Sequence, residues 1–297
     1  MVSRRSFQMI AWKRLVAVLT CMILVYLAYR WVDRQFRVDN IRVMVAVQES
    51  QPLSTKYHRI LKPFLSTPYT YLDRGKQTYV FVSRDGDYVL KLFDARCLLS
   101  GPYPLLIPIS AEGCKRRLKQ VLKGYLNAFH SIPDDAALAY FQPAADVSYS
   151  HSVILKDRFG FTHELNLSEV PFALQRKALQ TREAVSVHLK KGNVNKAVEQ
   201  LNQIVDLYVE GYRKGLIDGD HNVMYNTGFV DGRSVRIDVG RLRFDEGIKD
   251  PKAYRKDLNQ VFIVRVGEWL QRHFPQYHDQ IVEEMKTKIT SEGSTQS

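Results

Sequence analysis

The sequence predicts an α+β chain of two lobes, the first rich in β-strands and the second helical, preceded by one transmembrane helix. Three observations predict this order. Short β-branched and aromatic runs follow one another from Tyr69, helical periodicity dominates beyond residue 176, and an uncharged apolar segment stands near the N-terminus. A content of 45% hydrophobic and 25% charged residues is typical of a globular protein and excludes disordered, collagen-like and coiled-coil chains.

The N-terminal segment predicts a membrane anchor. Leu15–Tyr29 is free of charge, but as a helix it covers only about 22 Å of the roughly 30 Å hydrocarbon core. The longer stretch Trp12–Val32 is sufficient if its cations snorkel to the interfaces. A cleaved signal peptide and a buried soluble helix are the alternatives, although the small residues of a cleavage site are missing. Residues 1–42 hold half of the net charge of +12, as expected for a membrane flank rather than for nucleic-acid binding.

Composition divides the chain into four segments. We expect a tail with the anchor at 1–32, a juxtamembrane segment at 33–68, a β-rich lobe at 69–175 and a helical lobe at 176–297. The juxtamembrane segment contains a strand-like run over Ile41–Val47. The three cysteines are too few for a disulfide scaffold and have no zinc-binding spacing.

The β-rich lobe is predicted from runs that alternate polar and apolar residues. Three strands lie within 69–75, 77–83 and 87–93, and Asp85-Gly86 is the hairpin turn between the last two. A basic amphipathic helix is predicted near Cys114–Phe129, with Leu118, Val121, Leu122, Tyr125, Leu126 and Phe129 as its apolar stripe. Further strands follow, two of them on either side of a turn at Arg158–Phe161.

The helical lobe is predicted from spacings of three and four residues. A six-turn helix begins after Asn193, its predicted N-cap, and stops at Gly215. A short hairpin then turns at Asp231-Gly232. Two more helices are expected at about 251–273 and 276–289, separated by Pro275.

Carboxylates and an amide cluster in the stretch from residue 215 to residue 242. Asp218, Asp220 and Asn226 lie in the loop that leaves the six-turn helix, and the hairpin then delivers Asp238. Phosphoryl transfer needs such a set of groups. One carboxylate orients the attacking hydroxyl, while an amide and a second carboxylate hold magnesium on the triphosphate.

In this order the residues resemble the protein-kinase-like superfamily over about residues 69–245. The compact bacterial lipopolysaccharide-kinase-like and small-molecule kinase-like proteins are more similar than the eukaryotic protein kinases. The resemblance implies a two-lobed protein-kinase-like fold with ATP and Mg²⁺ as cofactors. It makes Asn226 and Asp238 the magnesium ligands and Lys91 the phosphate-binding lysine, and it places Gly75 and Gln77 in the loop over the phosphates.

The catalytic loop departs from the family pattern. It has D-x-D where the family has H-R-D, so both Asp218 and Asp220 are candidates for the catalytic base. Asp220, six residues before Asn226, is favoured, although the family spacing is five.

The phosphate-binding region departs as well, since Gly75 is the single glycine of the three that the family loop carries. Glu112 is either the acidic partner of Lys91 or the lysine has none. No A-P-E segment follows Asp238, so a phosphorylated activation loop is not expected.

Two functions remain open. The first is a membrane-anchored kinase-like phosphotransferase that moves the γ-phosphate of ATP to a hydroxyl, on a sugar or lipid-linked acceptor in preference to a protein. The second is a catalytically inactive pseudokinase scaffold that recruits a partner at the membrane. Retention of Lys91, Asn226 and Asp238 favours the enzyme, whereas the missing glycines and the D-x-D favour the scaffold.

Localisation follows from the nucleotide. An ATP-dependent domain is expected on the cytoplasmic side of a single-pass anchor, with Cys97 and Cys114 as free thiols. Nucleic acid is not an expected partner, because the basic helix lacks interleaved exposed aromatic residues.

Overall fold

The structure is a computed structural model that describes residues 4–33, 35–42, 61–95, 111–146 and 150–292. Its contacts divide the chain into two compact units, 1–37 and 38–297. The first unit contains the helix α1, Arg4–Asp33. Residues 43–47 of the predicted strand Ile41–Val47 lie outside the described residues. The lobe boundary at 175/176 stays a prediction.

The predicted transmembrane anchor is wrong. In the part of the chain that the structure describes, no helix combines the length and the apolarity that crossing a bilayer requires. The charge-free stretch Leu15–Tyr29 of α1 extends over only about 22 Å, and Lys13, Arg14 and Arg30 enclose it. The predicted single-pass localisation with a cytoplasmic domain, and the membrane as a partner, relied on this stretch and are corrected with it.

A seven-stranded sheet forms the β-rich half of the second unit. Its order is β4-β7-β3-β2-β1-β5-β6, and every pairing is antiparallel except that of β1 with β5. The strands are β1 (Tyr69–Arg74), β2 (Thr78–Ser83), β3 (Tyr88–Phe93), β4 (Leu138–Gln142), β5 (Ser152–Lys156), β6 (Thr162–Asn166) and β7 (Phe172–Arg176).

The predicted strands of this half are confirmed as β1 to β3 and as β5 to β7, whereas β4 was not predicted. The Asp85-Gly86 turn is also confirmed, and Gly86 has a φ of +86°, which favours glycine. The basic amphipathic helix is α2, Ala111–Ser131. Its apolar stripe packs on β3 and β4, in a hydrophobic core that also includes Val239 and Leu242 from the other half.

The helical half surrounds a second hydrophobic core. The predicted six-turn helix is confirmed, and Gly215 ends it with a φ of +73°. Asn193 occupies the N-cap position, but its side chain makes no capping hydrogen bond. The helices are α3 (Thr181–Lys190), α4 (Val194–Arg213), α5 (Val223–Asn226), α6 (Pro251–Leu258), α7 (Gly267–His273) and α8 (His278–Ser291).

The features of the helical half that were not predicted include α3 and a π-helix, Asn259–Val266, which joins α6 to α7 inside the predicted helix 251–273. π-helical turns occur mostly as short segments inside α-helices, and the spacing of three and four residues used for the prediction describes only the α-helical period.

Short strands hold the carboxylate-bearing loops in place. β9 (Leu216–Asp218) pairs with β12 (Leu242–Phe244), and β10 (Thr227–Val230) pairs with β11 (Arg233–Arg236) and with β8 (Leu179–Gln180). The predicted hairpin turn is confirmed at Asp231-Gly232, where both residues have positive φ, 51° and 79°, as a type I′ turn requires.

Gly124 lets α2 touch the backbone that follows Asp238. A Cβ at Gly124 would lie 2.3 Å from the carbonyl oxygen of Val239 and 2.7 Å from the carbonyl carbon of Gly240. Because backbone atoms cannot swing aside as a flexible side chain does, any larger residue separates the helix from this segment. The close approach therefore fixes the position of α2 relative to Asp238.

We expect Gly124→Ala to lower the free energy of unfolding by about 1–3 kcal/mol, because the added methyl group overpacks this contact. Gly267→Ala is the matched control. That glycine is also helical, but its Cβ would meet nothing closer than 3.6 Å, so the substitution is expected to raise stability by about 0.5–1 kcal/mol. Urea denaturation of both variants measures the difference, and equal effects would contradict the role of Gly124.

Candidate active site

A cavity of about 790 Å³ lies between the sheet and the helical half. Its walls come from the β1–β2 turn, from α2, from the loop after β9 and from the segment after β11. Six predicted site residues line it: Gly75, Gln77, Asp218, Asp220, Asn226 and Asp238. Lys91 and Glu112 are not among the lining residues.

The turn between β1 and β2 forms one edge of the cavity. The amide of Gly75 donates to the carbonyl of Thr78, 2.9 Å away, which closes the turn. A Cβ at Gly75 would lie 2.9 Å from Oγ1 of Thr78, so the turn favours glycine here. Gln77 lies in the same wall of the cavity.

Asn226 and Asp238 are brought together through the main chain. The carbonyl oxygen of Asn226 accepts hydrogen bonds from the amides of Ile237, at 2.7 Å, and Asp238, at 3.2 Å. The Asp238 carboxylate is exposed to the cavity, and its Oδ1 accepts from the amide of Gly240 at 3.0 Å. The two residues are therefore joined through the main chain, and both line the cavity.

These two side chains suit a cation that brings its other ligands with it. Among the described residues, no group of three or more His, Cys, Asp or Glu could hold a metal ion by itself. Mg²⁺ is commonly held by one or two protein oxygens together with phosphate oxygens and water. The donor set of Asn226 and Asp238 therefore fits a magnesium–nucleotide complex better than a metal held by protein alone.

Lys91, on β3, is buried behind the cavity wall. Its Nζ donates to the hydroxyl of Tyr125, 3.2 Å away on α2, and to the carbonyl of Ile237 at 2.5 Å. Burial lowers the pKa of Lys91 to about 8, and the nearby charge of Asp238 opposes that shift. Burial, with Asp238 adding to it, raises the pKa of Tyr125 well above its usual value.

The partner that sequence reasoning missed is therefore Tyr125. Glu112 lies exposed in the first turn of α2, whereas the hydroxyl of Tyr125 bonds to the lysine. A tyrosine hydroxyl is the only polar group within the predicted apolar stripe of α2. This was the one feature of the sequence that could have indicated Tyr125 as the partner of Lys91. Because the hydroxyl is neutral, the nearby carboxylate that interacts with the charge of Lys91 is that of Asp238.

Asp218 and Asp220 have different environments. Asp218 is 3% exposed, and its Oδ1 accepts from the amide of Asp220 at 2.9 Å. Burial raises the pKa of Asp218 to about 6, and the charge of Arg236 opposes the shift. Asp220 is half-buried at the cavity wall. The more accessible carboxylate is that of Asp220. Asp218 holds the loop in place through the hydrogen bond that it accepts from the Asp220 amide.

Arg236 is the second residue that sequence reasoning missed. It is 1% exposed, with Nη1 3.8 Å from Oδ2 of Asp218 and its guanidinium 4.1 Å from the centre of the Tyr208 ring. A strand arginine is usually solvated, so nothing in the sequence distinguished this one. It joins β11 to the loop after β9 by an ion pair inside the protein.

Cys114, in the first turn of α2, also lines the cavity and is disulfide-bonded. The expectation of a free thiol at this position is therefore wrong. Cys97, to which the same expectation applied, lies outside the described residues. Since disulfides persist in oxidising compartments, the bonded Cys114 also opposes the expected cytoplasmic placement.

Comparisons with known proteins give only distant likenesses. No family model and no curated protein match the chain. The bifunctional kinase-methyltransferase WbdD, in complex with the kinase inhibitor LY294002, is 12% identical at a TM-score of 0.40 over 74% of this chain, which spans only 45% of WbdD.

Two aminoglycoside phosphotransferases are also similar in part. ADP-bound APH(2'')-Ib is 10% identical at a TM-score of 0.28, over 80% of this chain and 97% of its own. The streptomycin–ATP complex of APH(2'')-IIa is 12% identical at a TM-score of 0.27, over 84% of this chain and 98% of its own. Because all of these TM-scores are below 0.5, none of these similarities supports a conclusion about the fold or the activity of this chain.

We expect Arg236→Met to lower the free energy of unfolding by about 3–5 kcal/mol, because it leaves the buried carboxylate of Asp218 without its counter-charge. Adding Asp218→Asn should recover part of this loss, since the uncompensated charge is then gone. Urea denaturation of the two single variants and the double variant measures the coupling. Additive losses would show that the two side chains do not interact.

Asp218 should also make stability depend on pH. Its pKa is raised in the folded state from 3.8 to about 6, so between these values the folded protein binds the proton more tightly than the unfolded chain. The stability of the wild type should fall, relative to Asp218→Asn, by about 2 kcal/mol as the pH rises from 4 to 6, and by less than about 1 kcal/mol more above pH 6. Denaturation curves at several pH values measure this, and parallel pH profiles would contradict it.

Proposed function

We propose that residues 69–245 form a kinase-like phosphotransferase domain that moves the γ-phosphate of ATP to a hydroxyl acceptor. The observation that supports this best is the double hydrogen bond to the carbonyl of Asn226, which sets Asn226 beside Asp238 at the cavity wall. Lys91 lies directly behind them, bonded to Ile237. Together these groups provide the positioning and the charge stabilisation that phosphoryl transfer requires.

In this proposal each side chain has a separate task. Asn226 and Asp238 would hold Mg²⁺, Lys91 would attract the phosphates, and the turn with Gly75 and Gln77 would cover them. Bound ATP and Mg²⁺ would supply the transferable phosphoryl group and neutralise its charge. Glu112 has no task, because it neither lines the cavity nor bonds to the lysine.

Asp220 would accept the proton of the acceptor hydroxyl. It is the accessible carboxylate of the D-x-D, and the hydrogen bond from its amide to Asp218 holds it in place. Asp218 also lines the cavity, but it is 3% exposed and its Oδ1 already accepts the Asp220 amide, so it is the less accessible of the two carboxylates. The chain also enters α6 at Pro251, soon after Asp238, which leaves no long segment for docking a protein substrate and favours a small acceptor such as a sugar.

Isothermal titration of the full-length chain with ATP, with and without magnesium, tests the proposal. Wild type should bind ATP more tightly with magnesium, and Asp238→Asn should lose that difference, because one of the two metal ligands is neutralised. Asp220→Asn should bind ATP normally but lower magnesium-dependent ATP hydrolysis by roughly 10²-fold or more, the usual scale of general-base assistance.

Asp231→Asn is the matched control. It makes the same change in the same hairpin, at an exposed turn residue where asparagine tolerates the positive φ, and it should change neither quantity. If magnesium left ATP affinity unchanged in the wild type, or if Asp238→Asn behaved as the wild type does, the phosphotransferase proposal would fail.

A pseudokinase scaffold is the second candidate. The bonded Cys114 favours it, because ATP is scarce in the compartments where disulfides persist. The absence of two loop glycines favours it as well, since backbone amides then approach the phosphates less closely. The same titration separates the two candidates, because a scaffold with a silent cleft would show no magnesium-dependent ATP binding.

A further inference from the structure

A second cavity, of about 340 Å³, lies on the other side of Asp220. Asp220 and Asn222 line both this cavity and the larger one. If the nucleotide occupies the larger cavity, a compound in the smaller one meets the same residue, Asp220. The smaller cavity therefore lies where an acceptor hydroxyl has to approach.

One helix face builds the far wall of this cavity. Its residues are spaced by three and four positions from the end of the π-helix through α7: Arg265, Glu268, Trp269, Arg272 and His273. The π-helix before them packs against α5 of the catalytic loop and buries Val261, Phe262 and Val266. Wide helical turns are rare and often accompany functional sites, and here one ends at the cavity.

The charges of this wall are not equivalent. Arg265 pairs with Glu268, at 3.4 Å from Nη1 to Oε2, so these two largely neutralise each other. Nε of Arg272 donates to the carbonyl of Glu268 at 3.1 Å, which orients its guanidinium. Within the described part of the chain, the terminal nitrogens of Arg272 have no acceptor.

His221 and His273 are held in other ways. Nε2 of His221 lies 3.2 Å from a carboxylate oxygen of Asp257, and His273 stacks on Trp269 with ring centroids 4.9 Å apart. The cavity is therefore lined by one oriented cation, Arg272, and by the carboxylate of Asp220. This arrangement fits a ligand that carries an anion at one end and a hydroxyl at the other.

We infer that the smaller cavity binds the acceptor, and that the acceptor is a small hydroxyl compound bearing a carboxylate or a phosphate, which Arg272 binds. The inference rests on the proposed function. A guanidinium binds either anion through two parallel hydrogen bonds. In the reaction, the hydroxyl gives its proton to Asp220, its oxygen bonds to the γ-phosphorus of ATP, the bond from that phosphorus to the bridging oxygen breaks, and ADP leaves.

The test compares binding of four probes to the full-length chain by isothermal titration: glucose, glucuronate, glucose 6-phosphate and an aminoglycoside. We expect the two anionic sugars to bind more tightly than glucose or the aminoglycoside. Arg272→Gln should lower the affinity for the anionic sugars by about tenfold to a hundredfold, the usual scale of a charge-assisted hydrogen bond. It should leave the affinity for glucose unchanged. Arg272→Lys should retain part of the affinity.

Arg255→Gln is the matched control. Nε of Arg255 donates to the carbonyl of Pro251 at 3.1 Å, the same contact four residues back along its helix, but Arg255 does not line the cavity. It should leave all four affinities unchanged. Tighter binding of only one anionic sugar would still support the inference and would identify the anion. Equal binding of glucose and both anionic sugars, or equal effects of Arg272→Gln and Arg255→Gln, would overturn it.

The magnesium–ATP titration separates this inference from the proposed function. If the wild type binds magnesium–ATP but no anionic sugar, the acceptor inference fails and the phosphotransferase proposal stands. If an anionic sugar binds through Arg272 but ATP does not bind, the phosphotransferase proposal fails, and the cavity is then a ligand site rather than an acceptor site.

Discussion

The candidate site depends on one carbonyl oxygen, that of Asn226, which accepts hydrogen bonds from the amides of both Ile237 and Asp238. These bonds join the loop after β9 to the strand that leaves the hairpin. They also leave the carbonyl of Ile237 facing Lys91 on β3. Three segments therefore meet at this point of main chain. The two bonds to Asn226 join backbone atoms only, so no side-chain substitution removes them directly, whereas the contact with β3 is made by the side chain of Lys91.

Around this point the protein buries charge. Lys91 is 4% exposed, Asp218 3% and Arg236 1%, and burial disfavours the charged form of the lysine and of the aspartate. Sites that keep such groups give up stability to hold them in place, which is more typical of functional clefts than of structural cores. The positive charge of Arg236 reduces the free-energy cost of burying the Asp218 carboxylate. The hydroxyl of Tyr125 is neutral, so it does not neutralise Lys91.

The sequence predicted the parts of the structure that depend on local patterns. The strands around Asp85-Gly86 and the hairpin at Asp231-Gly232 follow from turn chemistry, and the latter placed Asp238 beside the loop after β9. Long-range contacts gave no such signal. Gly124 matters only because the backbone of Val239, more than a hundred residues away, lies against it. The anchor was wrong because a short uncharged stretch was extended past the charges that enclose it.

The hairpin between Asn226 and Asp238 also limits which insertions this chain could accept. Its two strands pair residue by residue from Thr227 opposite Arg236 to Val230 opposite Arg233. Adding one residue to each strand lengthens the ribbon and leaves its base in register. Adding one residue to a single strand shifts the pairing and moves the side chains of that strand to the opposite face of the ribbon. Lineages related to this chain should therefore vary the hairpin in matched pairs, or absorb an odd residue as a bulge near the turn.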